Sequence, residues 1–181
     1  MKIYVDMDMV LCDFLRAAET LTGEPFPDKN GTLSKDQKKQ MITDKKDFWH
    51  TLPWTTDGRK LWKALNSNPD NQVMILSAHA SWDKNCKPGK RAWIKKNLKP
   101  SPSRIYLVKR DEKQNYADED SILVDDYARN TSEFNKRGGK GLTHINTNST
   151  ISQLKKLGIL YGELLWLYGE LQMPMSQNPN G

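Results

Sequence analysis

The stretch Lys2-Ile-Tyr-Val-Asp-Met-Asp-Met-Val-Leu-Cys-Asp-Phe14 decides how this chain is read. Ile3, Tyr4 and Val5 form a short β-prone apolar run suited to a buried strand, and the run stops at Asp6 and Asp8. Residues leaving the end of a parallel strand project into the crevice where open α/β sheets bind ligands. This pair is therefore placed to hold a metal or to attack an electrophile. Taken alone, Asp-x-Asp is more simply a solvated turn after an edge strand, so the rest of the sequence has to decide.

Three more apolar runs end in the same way. Gln72 to Ser77 closes on a serine, Arg104 to Val108 leads into the polar segment Lys109 to Asp118, and Ser121 to Asp126 closes on Asp125 and Asp126. A fifth strand is expected at Leu142 to Ile145, after Gly138-Gly-Lys-Gly141. Helices are expected at Asp13 to Leu21, at Ser34 to Thr43 (capped by Ser34 and exposed), at Asp57 to Leu65 and at Pro88 to Leu98. The last of these would turn Ala92, Trp93 and Leu98 inward and Lys90, Arg91, Lys95 and Lys96 mostly outward. Further helices are expected at Ala128 to Lys136, from Ser149 or Thr150 to Leu157, and at Ile159 to Leu171. The stripe Leu160, Leu164, Leu167 and Leu171 reads as core or as a homodimer contact rather than a membrane surface.

Strands alternating with helices imply an α/β fold with a Rossmann-like parallel sheet flanked by helices. The interval between the first two strands, residues 6 to 71, far exceeds the dozen or so residues a crossover helix needs. Residues 22–56 therefore read as a small, mainly helical cap inserted after the first strand. Residues 1–21 and 57–172 would form the core, and 173–181 a disordered tail. The cap holds the densest aromatic patch, Asp47-Phe-Trp-His-Thr-Leu-Pro-Trp54, either as its own small core or as a lid that stacks on a planar ligand.

At 181 residues, with 36% hydrophobic and 28% charged residues, the composition is that of an ordinary soluble protein. No apolar run approaches the roughly 20 residues needed to span a bilayer, and no membrane partner is expected. The first strand begins without a basic and apolar leader, so a cytoplasmic location is expected. Cys12 and Cys86 fit reduced thiols better than a disulfide framework. Net charge is +6, but the segment Lys84 to Lys113 alone carries +9, which leaves −3 for the remainder. That distribution favours a polyanionic partner, such as nucleic acid, or a phosphorylated substrate; the plainer reading is a solvated basic helix. No internal repeat is found, and no Gly-x-x-x-x-Gly-Lys-Ser/Thr loop that would suggest a kinase.

Along one carboxyl edge the strands thus bring Asp6 and Asp8, Ser77, Lys109 or Lys113, and Asp125 with Asp126. This set, in this order, resembles the haloacid dehalogenase-like superfamily of phosphohydrolases. Val5-Asp-Met-Asp-Met-Val-Leu-Cys-Asp-Phe14, Phe48-Trp-His-Thr-Leu-Pro53, Cys86 with Lys90-Arg-Ala-Trp-Ile-Lys95, and Ile122-Leu-Val-Asp-Asp126 are similar to the corresponding stretches of the 5'(3')-deoxyribonucleotidases. The resemblance covers roughly residues 2 to 157.

The resemblance implies a magnesium-dependent phosphomonoesterase acting on (deoxy)nucleoside monophosphates. Asp6 would be the nucleophile and form an aspartyl-phosphate. Magnesium would be held by Asp6, the Asp8 carbonyl and Asp125, with Asp126 supporting the metal through water or orienting Lys113. Asp8 would protonate the leaving oxygen, helped by a pKa that neighbouring carboxylates raise. Ser77 and the Ala78 N–H would bind phosphate, and Lys113, with Lys109 as runner-up, would neutralise its charge. Phe14, Phe48 and Trp49 would line the base and sugar pocket, while His79 would touch phosphate or face solvent. One departure is Met9, where the family commonly has glycine, which places substrate range in question. Two other functions fit the same residues: a phosphatase acting on nucleic-acid ends, and a non-catalytic nucleotide-binding protein.

Overall fold

Five short β-prone runs line up side by side, all parallel, in the order β3-β2-β1-β4-β5. The structure is a computed structural model and describes residues 1–27 and 30–161. Along the chain it comprises β1 (Lys2–Val5), α1 (Phe14–Thr22), α2 (Lys35–Asp44), α3 (Gly58–Leu65), β2 (Gln72–Ala78) and α4 (Cys86–Asn97). It continues with β3 (Ile105–Val108), a 3₁₀ segment (Arg110–Tyr116), β4 (Ser121–Asp125), α5 (Ala128–Lys136), β5 (Lys140–Thr143) and α6 (Thr147–Lys156). This is the expected Rossmann-like α/β sheet flanked by helices.

β1 is the central strand. Its Val5 is level with Ile75 of β2 on one side and Val124 of β4 on the other. Alternate residues enter opposite layers, as the two-residue period of a strand requires. Ile3, Val5, Ile75, Ile122 and Val124 join one large apolar cluster, and Tyr4, Met74, Leu76 and Leu123 join a smaller one with Phe134.

Local signals close the helices near the expected positions. Asp13 accepts from the Arg16 N–H (3.0 Å) to cap α1, which ends at Gly23 with φ 74. Ser34 and Gln37 form a capping box at the start of α2. α2 is less exposed than expected, since Lys38 and Ile42 are buried. The Lys38 ammonium donates to the Pro25 carbonyl (2.6 Å) and lies 3.3 Å from Glu24, so its stem can pass through apolar surroundings.

The aromatic patch belongs to the main core. Phe48, Trp49 and Leu52 are buried in the same cluster as Ile3 and Val5. The Trp93 indole N–H of α4 donates to the Leu52 carbonyl (2.7 Å), and a Cβ added at Gly89 would stand 2.6 Å from Trp49 Cβ. Glycine at this position lets α4 approach the patch closely.

Three expectations need correction. β5 starts two residues earlier than expected and leaves Ile145 80% exposed. The shift brings Gly141 against α5, where an added Cβ would be 2.3 Å from the Thr131 carbonyl. α6 is capped by Asn146, whose side chain accepts from the Ser149 N–H (2.9 Å); Thr150 instead meets His144 Nδ1 at 2.8 Å. Ile159 and Leu160 are buried but not helical, because Gly158 (φ 70) turns the chain so that the Ile159 N–H reaches the Leu154 carbonyl (2.9 Å). Leu164, Leu167, Leu171 and the 173–181 tail lie outside the described residues. Cys12 and Cys86 are buried free thiols. Among the described residues, no helix is long and apolar enough to cross a membrane.

Candidate active site

β1, β2 and β4 are neighbours, so whatever follows their last apolar residues converges at one edge. Asp6 follows Val5, and its backbone N–H is held by the Val124 carbonyl (2.9 Å). One of its carboxylate oxygens accepts from the Met7 N–H at 2.8 Å. The other faces Lys113 Nζ at 3.1 Å.

Lys113 reaches the edge from the 3₁₀ segment and also donates to Asp125 (2.6 Å) at the end of β4. Asp125 further accepts from both the Tyr127 N–H (2.9 Å) and the Asn130 side chain (3.0 and 3.1 Å). Asn130 is itself held by Arg110 at 3.0 Å.

Asp6, Asp125 and Asp126 each offer a carboxylate oxygen within 4.8 Å of the others. Three hard oxygen donors at that separation suit a small divalent cation such as magnesium. Burial and the neighbouring Asp6 carboxylate raise the pKa of Asp125, while partial burial with Asp6 and Asp125 pushes Asp126, at the exposed rim, up to about 7. Burial works against the charge on Lys113, but Asp6 and Asp125 outweigh it and its pKa is raised. The ammonium therefore stays charged inside a ring of carboxylates.

Asp8 stands apart from that trio. Its carboxylate meets Lys90 Nζ at 2.7 Å, whereas the sequence pointed to carboxylates as its company. Lys90 was expected to face mostly outward, yet it is fully buried. Its three donors go to Asp8, Ser77 Oγ (3.0 Å) and the Ala78 carbonyl (2.7 Å). Burial opposes its charge, but Asp8, Cys86 and Asp6 more than compensate and raise its pKa. Ser77 is also fully buried and keeps its own O–H to donate. Ala78 presents its carbonyl to Lys90, and its N–H is the group the resemblance implied as a phosphate donor.

The remaining candidates spread around this centre. Lys109 is exposed, and it precedes the 3₁₀ segment with its backbone N–H donating to Glu112 (2.8 Å). Of the two candidate lysines, Lys113 is thus the one at the carboxylates. His79 lies beyond β2 with its N–H on the Val108 carbonyl (3.0 Å); partial burial, then Lys87 and Lys90, lower its pKa and favour the neutral ring. Phe14 stacks on Trp49 at 5.4 Å, and Phe48 meets both rings edge-on. Phe48 and Trp49 are each 2% exposed, so these aromatics chiefly cover one another. Met9 has φ 62, the left-handed conformation that glycine tolerates best, and its N–H bonds the Cys12 carbonyl (2.7 Å). Cys12 lies 3.7 Å from Asp8, and burial pushes its thiol pKa well up, as it does Cys86 to about 11.

No protein-family model matches the chain, and no curated protein matches it. Solved structures do. YfnB from Bacillus subtilis, assigned as a HAD-hydrolase and bound to magnesium, aligns with a TM-score of 0.54 at 11% identity, over 77% of this chain and 84% of that one. The L-2-haloacid dehalogenase from Xanthobacter autotrophicus, with chloropropionic acid covalently bound, aligns with a TM-score of 0.54 at 10% identity, over 98% of this chain and 91% of that one. The fold is haloacid dehalogenase-like. At these identities the likeness extends to the fold and not to a substrate. In this HAD-like fold β1 lies between β2 and β4, and their carboxyl ends carry Asp6, Ser77 and Asp125.

Proposed function

We infer that the protein is a magnesium-dependent phosphomonoesterase of the haloacid dehalogenase-like type, and that its substrates are (deoxy)nucleoside monophosphates. The observation carrying the reading is the Asp6, Asp125 and Asp126 trio with Lys113 set between Asp6 and Asp125. A trio of carboxylates around one lysine suits a site that gathers a cation and a phosphoryl group. A small halogenated acid would leave two of the three carboxylates without a role. Magnesium in YfnB is in keeping with this. The nucleotide part rests on the resemblance of residues 2 to 157 to the 5'(3')-deoxyribonucleotidases.

When bound by Asp6, Asp125 and Asp126, magnesium would offset the repulsion between carboxylate and phosphate. In the reaction an Asp6 oxygen attacks phosphorus to give an aspartyl-phosphate, and the leaving nucleoside oxygen takes a proton from Asp8. Asp8 then accepts a proton from the water that attacks phosphorus and releases Asp6. Lys113 steadies negative charge on the transferred group, and the Ser77 hydroxyl donates to one of its oxygens. Lys90 holds Asp8 and Ser77 in fixed relation. Met9 directly follows Asp8, and on this reading its side chain, which glycine would lack, narrows the range of leaving groups.

The test is phosphate release from a panel of ribo- and deoxyribonucleoside monophosphates, with magnesium or chelator, by the wild type and Asp6→Asn. Magnesium-dependent release that Asp6→Asn abolishes is expected. If no monophosphate is hydrolysed, the nucleotidase reading is wrong. If release persists in chelator or in Asp6→Asn, the mechanism is wrong.

A further inference from the structure

Trp82 lies in the loop after β2, on the edge that carries the site, and 36% of it is exposed. Its ring is 6.2 Å from that of Trp49, whose ring in turn lies 5.5 Å from Lys90 Nζ, the partner of Asp8. An open indole thus stands three contacts from the Asp8 carboxylate. Lys39 of α2 adds a cation 5.6 Å from its centroid.

Just past Trp82 begins a row of exposed cations. Lys84 comes first, and Lys87, Arg91 and Lys95 follow at four-residue spacing on the outer face of α4. Among the described residues, none of these four has an ion-pair partner. Elsewhere on the surface cations do find acids: Arg110 and Arg129 both meet Glu133 at 2.8 Å. The one acid between Ala80 and Lys99 is Asp83, and it is buried, accepting from the Trp49 indole N–H (2.7 Å) and the Asn85 N–H (2.9 Å). Among the described residues no acid neutralises the row, and like charges so placed repel one another, which favours a polyanion over them.

The row and the indole differ in chemistry but are contiguous. At 1.5 Å per residue Lys87 to Lys95 spans about 12 Å, the length of about three or four nucleotides at 3.4 Å each. A basic track that ends at an aromatic platform is what single-stranded nucleic acid requires, because backbone phosphates need cations and an unstacked base needs a flat ring. An acidic protein or an anionic membrane has no base to stack, so only a nucleic acid uses the cations and the flat ring each for its own part of one repeating unit.

We propose that Trp82, Lys84 and the Lys87, Arg91 and Lys95 face of α4 bind single-stranded nucleic acid, with the terminal base at Trp82 and the backbone along α4. This orientation delivers a terminal phosphate to the Asp6 edge, and that part rests on the hydrolase reading above. The binding surface itself does not.

The test is fluorescence anisotropy of a labelled single-stranded oligonucleotide of about 12 nucleotides, within the size range of such sites. The full chain carrying Asp6→Asn is used, so that turnover cannot interfere. Compared with it are the triple change Lys87→Glu, Arg91→Glu, Lys95→Glu, the single change Trp82→Ala, and a control triple change on α3 and α6, Lys60→Glu, Lys63→Glu, Lys155→Glu, with thermal melts to verify folding. The α4 triple is expected to weaken binding more than 10-fold and to flatten the log–log salt dependence by about 2, at roughly 0.7 per lost contact on a single strand. Trp82→Ala is expected to weaken it about 5- to 100-fold, and the control triple less than 2-fold.

Equal losses in the control triple, or no loss in either α4 variant, would overturn the proposal. So would duplex DNA, an acidic protein or phosphatidylserine vesicles binding as tightly with the same dependence on Trp82. In the Asp6-intact background the α4 triple is expected to release phosphate from mononucleotides at the wild-type rate. Binding without mononucleotide turnover would sink the hydrolase reading alone, and turnover without binding would sink this one alone.

Discussion

Lys90 Nζ lies 2.7 Å from Asp8 Oδ2, and the same ammonium reaches Ser77 Oγ and the Ala78 carbonyl. One buried cation therefore joins the acid expected to serve the leaving group to the hydroxyl expected to hold phosphate. Lys90→Met keeps the stem and removes the charge. It is expected to lower kcat about 100-fold through misplacement of Asp8 and Ser77. Stability is expected to fall by about 1–3 kcal/mol, because three acceptors lose their donor. Urea unfolding of Lys90→Met, Asp8→Asn and the double variant measures the coupling, expected at about 0.5–3 kcal/mol. Additive losses would show that the pair does not act as a unit.

Lys113 is the cation between Asp6 and Asp125, so Lys113→Met should act on metal binding and turnover in opposite directions. Phosphate release is expected to drop about 100- to 1,000-fold. The rise in melting temperature on adding magnesium is expected to be larger than in the wild type, since the carboxylates then have the metal as their one counter-charge. Differential scanning fluorimetry with magnesium and with chelator reads the second effect without any substrate.

Met9 holds a left-handed φ of 62. That conformation costs a residue with a Cβ about 1–2 kcal/mol, a cost glycine avoids. Met9→Gly is expected to leave stability unchanged or raise it by up to about 1 kcal/mol, because glycine's greater unfolded-state freedom offsets part of the relief. Met9→Val, with its β-branch, is expected to lower it. Chemical denaturation of the two variants decides; a loss in Met9→Gly larger than in Met9→Val would mean that the side chain's packing outweighs the backbone strain.

Glu24 organises the loop ahead of α2. It accepts from the Thr32 hydroxyl, the Thr32 N–H (2.6 Å) and the Leu33 N–H (3.0 Å), with Lys38 at 3.3 Å, and these partners lower its pKa from 4.5 to about 2. A depressed carboxyl pKa contributes stability that is fully present above the unfolded value and is lost as pH falls through the folded one. The melting temperature of the wild type is therefore expected to fall between about pH 4.5 and pH 2 more steeply than that of Glu24→Gln. Parallel curves would remove Glu24 from the acid response.

The sheet was legible because each strand is a short apolar run bounded by polar or turn residues, and the edge chemistry was legible because acids directly follow two of those runs. Lys90 reads as solvent-facing in the sequence because Arg91, Lys95 and Lys96 on the same helix do face solvent. The correcting signal was present: Lys90 is four residues after Cys86, three before Trp93 and four before Ile94, so it falls on their buried stripe. Asn130 escapes a sequence reading because its contact with Asp125, five residues back, depends on the geometry of the turn by which Tyr127 leads β4 into α5. The aromatic patch could not be assigned to lid or core from composition, since what decides it is the closeness of α4 at Gly89. β5 was displaced because the fit of Gly141 against Thr131 prevails over the apolar preference of Ile145.

The level alignment of Val5 with Ile75 and Val124 ties strand pairing to chemistry. A slip of β1 by one residue would exchange the two layers, placing Met7 where Asp6 belongs and driving a carboxylate toward the apolar interior. A misaligned chain would thus lose its core and its proposed nucleophile together, so the slip could not give a well-folded, idle protein. Under the proposed function, turnover per mole of protein then doubles as a census of correctly threaded sheets, and refolding yield is expected to be countable in released phosphate.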